Sequence, residues 1–98
     1  MQIKVHDSYR KIVALSDVEL LGKTFAEGIK QIEIRANFFK GDKKSREQII
    51  RILEDINKED AMFNIVGKKS VQVALEAGVI SKEGIITIQG VPIALGLL

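Results

Sequence analysis

The chain has 98 residues, with 15 Lys and Arg against 13 Asp and Glu, no Cys and no Trp. That length predicts one domain over residues 1–98, with a core that needs no staples, and the missing cysteine excludes disulfides, thiolate nucleophiles and thiolate metal sites. A net charge of +2 and a pI near 9 permit an anionic partner without demanding one, and no apolar run approaches the ~18 residues of a membrane helix.

No membrane association is expected. Met1-Gln2-Ile3-Lys4 has none of the apolar stretch of a signal peptide, so a cytoplasmic location is expected. Abundant Lys, Glu and Ile without Cys leans towards a thermophile. With only 5% aromatic residues, the core must be built from Ile, Val and Leu.

Ile3-Lys4-Val5 alternates as a short strand, and Lys11 to Leu15 is an apolar, β-branched run that predicts a buried central strand. Residues His6 to Arg10 between them read as a hairpin loop. Ser16 with Glu19 has the spacing of a capping box, predicting a helix with Val18, Leu20, Leu21 and Phe25 on its apolar face and Gly28 as its stop. Gly22 inside that helix implies a close backbone approach. From Lys30 to Phe39, Ile32, Ile34, Ala36 and Phe38 alternate with polar residues, which predicts a strand with Phe38 facing the core and Phe39 outward.

After the polar turn Lys40–Lys44, a second capping box, Ser45 with Gln48, opens a helix carrying Ile49, Ile50, Leu53 and Ile56 on one face. Met62 to Val66 is apolar but too short for periodicity to separate helix from strand. Val71 to Ala77 reads as a helix stopped by Gly78, and Ile85 to Ile88 as a strand. Gly90-Val91-Pro92 then bends the chain into the apolar tail Ile93–Leu98. Pro92 pushes that tail towards a sheet edge or a bend. The order of elements predicts an α+β fold, a mixed sheet with helices packed mainly on one face.

Several patterns carry candidate chemistry. Gly22-Lys23-Thr24 looks like the end of a phosphate-binding loop, but the glycine needed five residues earlier is Asp17. Packing is the better reading there. Gly67, Lys68, Lys69 and Ser70 open a helix, so free amides, the helix dipole and two ammonium groups converge on a candidate anion site that also draws on Asn64. Lys40, Lys43, Lys44 and Arg46 form the densest basic stretch, with Phe39 beside it as a ring on which a base could stack. His6 is the only histidine, and no second metal ligand or Ser-His-Asp set accompanies it. No catalytic residues, metal or cofactor are assigned, and a binding role is favoured over a catalytic one.

The run Leu21-Gly22-Lys23-Thr24-Phe25, Glu27-Gly28, Phe38-Phe39, Gly41, Asn64, Val66-Gly67, Ala74, Gly78 and Gly90-Val91-Pro92 resembles the archaeal domain-of-unknown-function family 424 along nearly the whole chain. The resemblance implies a cytoplasmic archaeal protein that accompanies the translation machinery. One departure is visible. Relatives follow the proline with His and Gln, where this chain has Ile93-Ala94-Leu95, so a site built on those polar residues would be altered here.

The leading expectation is a non-enzymatic module that binds RNA or a ribonucleoprotein. An anion- or metabolite-binding domain, catalytic or not, centred on the Gly67 helix start is the first alternative. The second is a dimerising structural protein, its homodimer formed through the uncharged C-terminal tail.

Overall fold

A computed structural model describes residues 1–7 and 9–96. The element order is β1 (Gln2–His6), β2 (Lys11–Ser16), β3 (Thr24–Glu27), β4 (Lys30–Glu33), α1 (Ala36–Phe39), β5 (Asp42–Lys43), α2 (Arg46–Ile56), β6 (Ala61–Val66), α3 (Lys68–Glu76), β7 (Ile85–Ile88) and β8 (Val91–Gly96). Six strands form one sheet in the order β5-β1-β2-β6-β8-β7, and β3 with β4 forms a separate hairpin. Within the large sheet β2 and β6 run parallel, whereas the other neighbours are antiparallel. The fold is α+β.

The two faces of the sheet are covered differently. Val13 and Leu15 of β2, Phe63 and Ile65 of β6 and Ala94 of β8 share one face, where they meet Ile49, Leu53 and Ile56 of α2 and Val71, Val73 and Ala74 of α3. The alternate residues Ala14, Val66 and Ile93 point the other way and pack with Ile34, Phe39 and Ile88. Burial on both faces accounts for the nearly continuous apolar run of β2, as the period-two geometry of a strand requires. The capping box at Ser45 forms as expected. The Gln48 amide donates to Ser45 Oγ at 3.3 Å, and the Ser45 amide donates to Gln48 Oε1 at 2.9 Å.

Three expectations give way. Residues 17–28 do not make a helix: a single 3-10 turn at Val18–Leu20 leads into β3. The Ser16 hydroxyl donates to the Asp17 carbonyl at 2.8 Å rather than capping anything. The Gly22 amide bonds to Ile34 O at 2.7 Å and the Ile34 amide to Lys23 O at 2.8 Å, so this segment pairs with the chain after β4 instead of with its own next turn. Phe25 stands opposite Ile32 in the hairpin, and both lie half-buried over the second core cluster.

The long strand predicted to Phe39 ends at Glu33, and Ala36–Phe39 makes one helical turn. A residue step in a helix turns the side chain by about 100° instead of 180°, and the two phenylalanines exchange roles. Phe39 is 4% exposed in the core, and Phe38 is half-buried.

The tail is not an edge. β8 lies between β6 and β7, with Ile93 and Ala94 buried. Pro92 is tolerated because it stands at the start of the strand, opposite Thr87, before the ladder with β6 begins at Ile93. Its carbonyl still accepts from the Gly67 amide at 3.0 Å. Leu97 and Leu98 lie outside the described residues.

The burial pattern makes Leu15 a stronger support than Phe25. Leu15→Ala should cost about 2–5 kcal/mol in chemical denaturation, and Phe25→Ala distinctly less. Equal losses would show that the hairpin carries as much of the core as the central strand.

Candidate functional site

The parallel strands β2 and β6 leave the sheet at the same end, where Asp17 follows Ser16 and Gly67 follows Val66. The Asp17 amide donates to Val66 O at 3.1 Å, carrying the ladder one residue past the strands. Asp17 is only 4% exposed. Its Oδ1 accepts from the Ser70 amide at 2.8 Å and the Ser70 hydroxyl at 2.7 Å, and its Oδ2 accepts from the Lys69 amide at 3.2 Å. Burying a carboxylate is costly unless donors surround it. Here the positive end of α3 supplies them, so Asp17 caps a helix that begins fifty residues later in the chain.

Gly67 makes this contact feasible. Its φ of +110° lies where side chains are rarely tolerated, and a Cβ there would fall 2.6 Å from Asp17 Oδ2. A cleft of about 220 Å³ beside the contact has Leu20, Val91 and Pro92 as apolar walls, with Lys68, Lys69 and Glu19 also lining it. Segments that carried the family resemblance, around Leu20, Gly67 and Gly90-Val91-Pro92, therefore meet in one place.

The expected anion-binding residues divide around this cleft. Gly67, Lys68 and Lys69 line it, Ser70 is fully buried behind Asp17, and Asn64 stands half-buried within β6, paired with Ala14 and Leu95. The amides of Lys69 and Ser70, which an external anion would need, are already held by the resident carboxylate. A second anion would have to rely on the Lys68 and Lys69 ammonium groups, against the negative charge of Asp17 and Glu19.

The basic loop is placed differently. A Cβ on Gly41 would collide with the Ile3 carbonyl, so glycine is what lets Lys40 and β5 lie close along β1. Lys40 and Lys44 thereby share with Lys4 a groove of about 410 Å³ floored by Ile3, Val5 and Ile52, with Asp42 as the one acid in its lining. Lys43 stands opposite Gln2 at the sheet edge and is exposed. Arg46 does not join them. Its guanidinium pairs with Glu76 and reaches Glu47 at 3.9 Å, strapping α2 to α3.

Four other cations are similarly committed. Arg10 pairs with Asp60, Lys11 with Glu59, Arg35 with Glu33 and Lys58 with Asp55. The hydrogen bond and charge of Glu59 hold the Lys11 ammonium above its ordinary pKa, so it stays charged and occupied.

Phe39 cannot stack a base, because it is buried among Ala14, Ile34 and Ile93. The accessible rings near the lysines are Phe38 and His6. They stack with centroids 4.6 Å apart and planes 16° from parallel, and His6 Nε2 lies 2.9 Å from the Phe38 carbonyl. Lys4 Nζ donates to the Asn37 carbonyl at 3.1 Å, next to that pair. Sequence reasoning assigned none of Asp17, Lys4, His6 and Phe38 to these two places. The Asp17 partnership links residues about fifty positions apart and has no local signal. The Phe38 assignment failed only because the strand period was carried past Glu33.

The Asp17–Gly67 contact can be tested by stability. Asp17→Ala should cost about 1–3 kcal/mol by stranding buried donors. Gly67→Ala should also destabilise, but less in the Asp17→Ala background, where its Cβ has no carboxylate to meet. A double-mutant cycle in urea measures this coupling, and strictly additive losses would mean that the two residues do not touch.

A family model described as "Protein of unknown function (DUF424)" matches residues 5–96. A crystal structure of an uncharacterized conserved protein from Methanopyrus kandleri superposes with a TM-score of 0.85 at 20% identity, covering 97% of this chain and 88% of that one. At that identity the likeness is one of fold. No curated protein matches the chain.

Proposed function

The chain belongs to the DUF424 protein family, whose function is unknown, and we propose that it is a non-enzymatic module that binds RNA, alone or within a ribonucleoprotein, in the cytoplasm beside the translation machinery. The observation that carries this reading is the gathering of Lys4, Lys40, Lys43 and Lys44 along the β1–β5 side of the sheet, while Arg10, Lys11, Arg35, Arg46 and Lys58 face carboxylates. Ammonium groups held at a sheet edge neutralise successive phosphates and release their counterions, which makes binding favourable and salt-dependent. Two groups of the kind catalysis uses are otherwise engaged: Asp17 caps α3, and His6 is stacked and hydrogen-bonded. No helix among the described residues is long and apolar enough to cross a membrane.

Replacing Lys40, Lys43 and Lys44 together with Gln should weaken binding of single-stranded RNA by one to two orders of magnitude near 0.1 M salt and lower the salt slope by about 2. Arg46→Gln should change it little, because that charge is already paired. An unchanged slope in the triple variant would move the interface elsewhere, and no binding by the parent protein at low salt would end the proposal.

A second reading, self-association, is favoured by one observation. Leu95 of the tail remains 56% exposed and, with Ile29 and Ile86, borders an apolar groove of about 320 Å³ between the hairpin and the sheet. If this face joins two copies, Leu95→Lys should halve the mass measured by light scattering. A monomeric parent at high concentration would dismiss the idea.

A further inference from the structure

We infer that the RNA held at the lysine edge is single-stranded, with one of its bases stacked on the Phe38–His6 pair. This rests on the reading of that edge as an RNA site and adds the form of RNA it takes.

The ring pair is built before any ligand arrives. His6 lies on Phe38 at 4.6 Å and 16°, its Nε2 is 2.9 Å from the Phe38 carbonyl, and the buried Phe39 meets Phe38 edge-on at 5.1 Å and 76°. Both rings are thus held in one orientation while remaining partly open to solvent. A base that extends such a stack gains contact without having to order the side chains first, since that entropy has been spent in folding.

The rings also lie within the basic groove's own stretch of chain. Lys4 precedes His6 by two residues in β1, so both project from the same face of the sheet. Its ammonium reaches the Asn37 carbonyl, immediately before Phe38. Lys40 follows Phe38 by two residues and lines the groove with Lys4. A strand whose phosphates follow Lys4, Lys40 and Lys44 therefore passes the ring pair within the reach of one nucleotide.

A duplex cannot use this arrangement. Its bases are stacked on one another inside an A-form helix, so a protein surface meets phosphates, 2′-hydroxyls and base edges but no open base face. A duplex would engage the lysines and leave the rings idle. An unpaired strand engages both. Stacking is tolerant of base identity, so the preference is for strandedness rather than for sequence.

The test uses the full chain and a single-stranded RNA of about ten nucleotides carrying a 2-aminopurine, compared with the same strand annealed to its complement at equal salt. The single strand should bind at least about tenfold more tightly, and its 2-aminopurine fluorescence should be quenched on binding. Phe38→Leu should weaken the single strand about tenfold without altering its salt slope, and should leave duplex binding unchanged. Equal affinity for the two forms would overturn the stacking proposal while leaving the lysine edge intact, and so would an unaltered affinity and quench in Phe38→Leu. If neither form binds at low salt, the lysine-edge reading fails first and the stacking falls with it. Should Phe38→Leu fail to fold, the strandedness preference and the quench of the parent protein still decide the matter.

Discussion

Asp17 carries its carboxylate into a site that is 4% exposed and sets it on the amides of Lys69 and Ser70, joining the ends of two parallel strands to the helix that covers them. Much else depends on this bond. It places the first turn of α3, and α3 brings Val71, Val73 and Ala74 onto the sheet. α2 then lies beside α3, tied to it by Arg46 and Glu76. Gly67 is needed for the carboxylate to approach, and the Gly67 amide in turn holds β8 through the Pro92 carbonyl. A single buried charge thus sets the relation among β2, β6, α3 and β8, and it is affordable only because a helix terminus offers unpaired donors and a favourable dipole.

The side of the sheet that bears α2 and α3 was largely legible in the sequence. Ser45 and Gln48 mark the start of α2, and Ile49, Leu53 and Ile56 recur at helical spacing on its buried face. The other side was not. Residues 17–28 have Leu and Phe at spacings that suit a helix, yet Gly22 and Lys23 bond to Ile34 and the chain from Thr24 pairs with β4. The hairpin strands are four residues long, too short for a period of two to outweigh one of 3.6. Thr24, and Gly28 placed between two runs of like length, were the available signals.

The candidate site was half legible for related reasons. The lysines of the loop were visible as composition, and their proximity to one another followed from their spacing. Lys4 belongs with them only because Gly41 lets β5 lie against β1, which is a fact of tertiary structure. The outward-facing phenylalanine was expected one residue late, since a helical turn at Ala36–Phe39 reverses the parity that a strand would give. At the Gly67 helix start the residue types suggested an anion site, and there the amides of Lys69 and Ser70 hold the Asp17 carboxylate. What could not be read is that the chain supplies its own anion.

The two edges of the sheet bear differently on what could bind there. β7 is uncharged along Ile85–Ile88, and its turn is tied to the hairpin by the bonds between Gln89 and residues Ala26 and Glu27. β5 pairs only with Gln2 and Ile3, so among the described residues Lys4, Val5 and His6 have no strand beyond them on that side. An open edge invites another strand, and lysines are a common means of refusing one because pairing would desolvate their charge. The same lysines do not repel a polyanion, which brings its own counter-charge and needs no ladder of amides. On the proposed RNA-binding reading, the feature that keeps other strands away is the one a nucleic acid backbone would use, and the rings beside Lys4 would offer that ligand something a bare polyphosphate would not use.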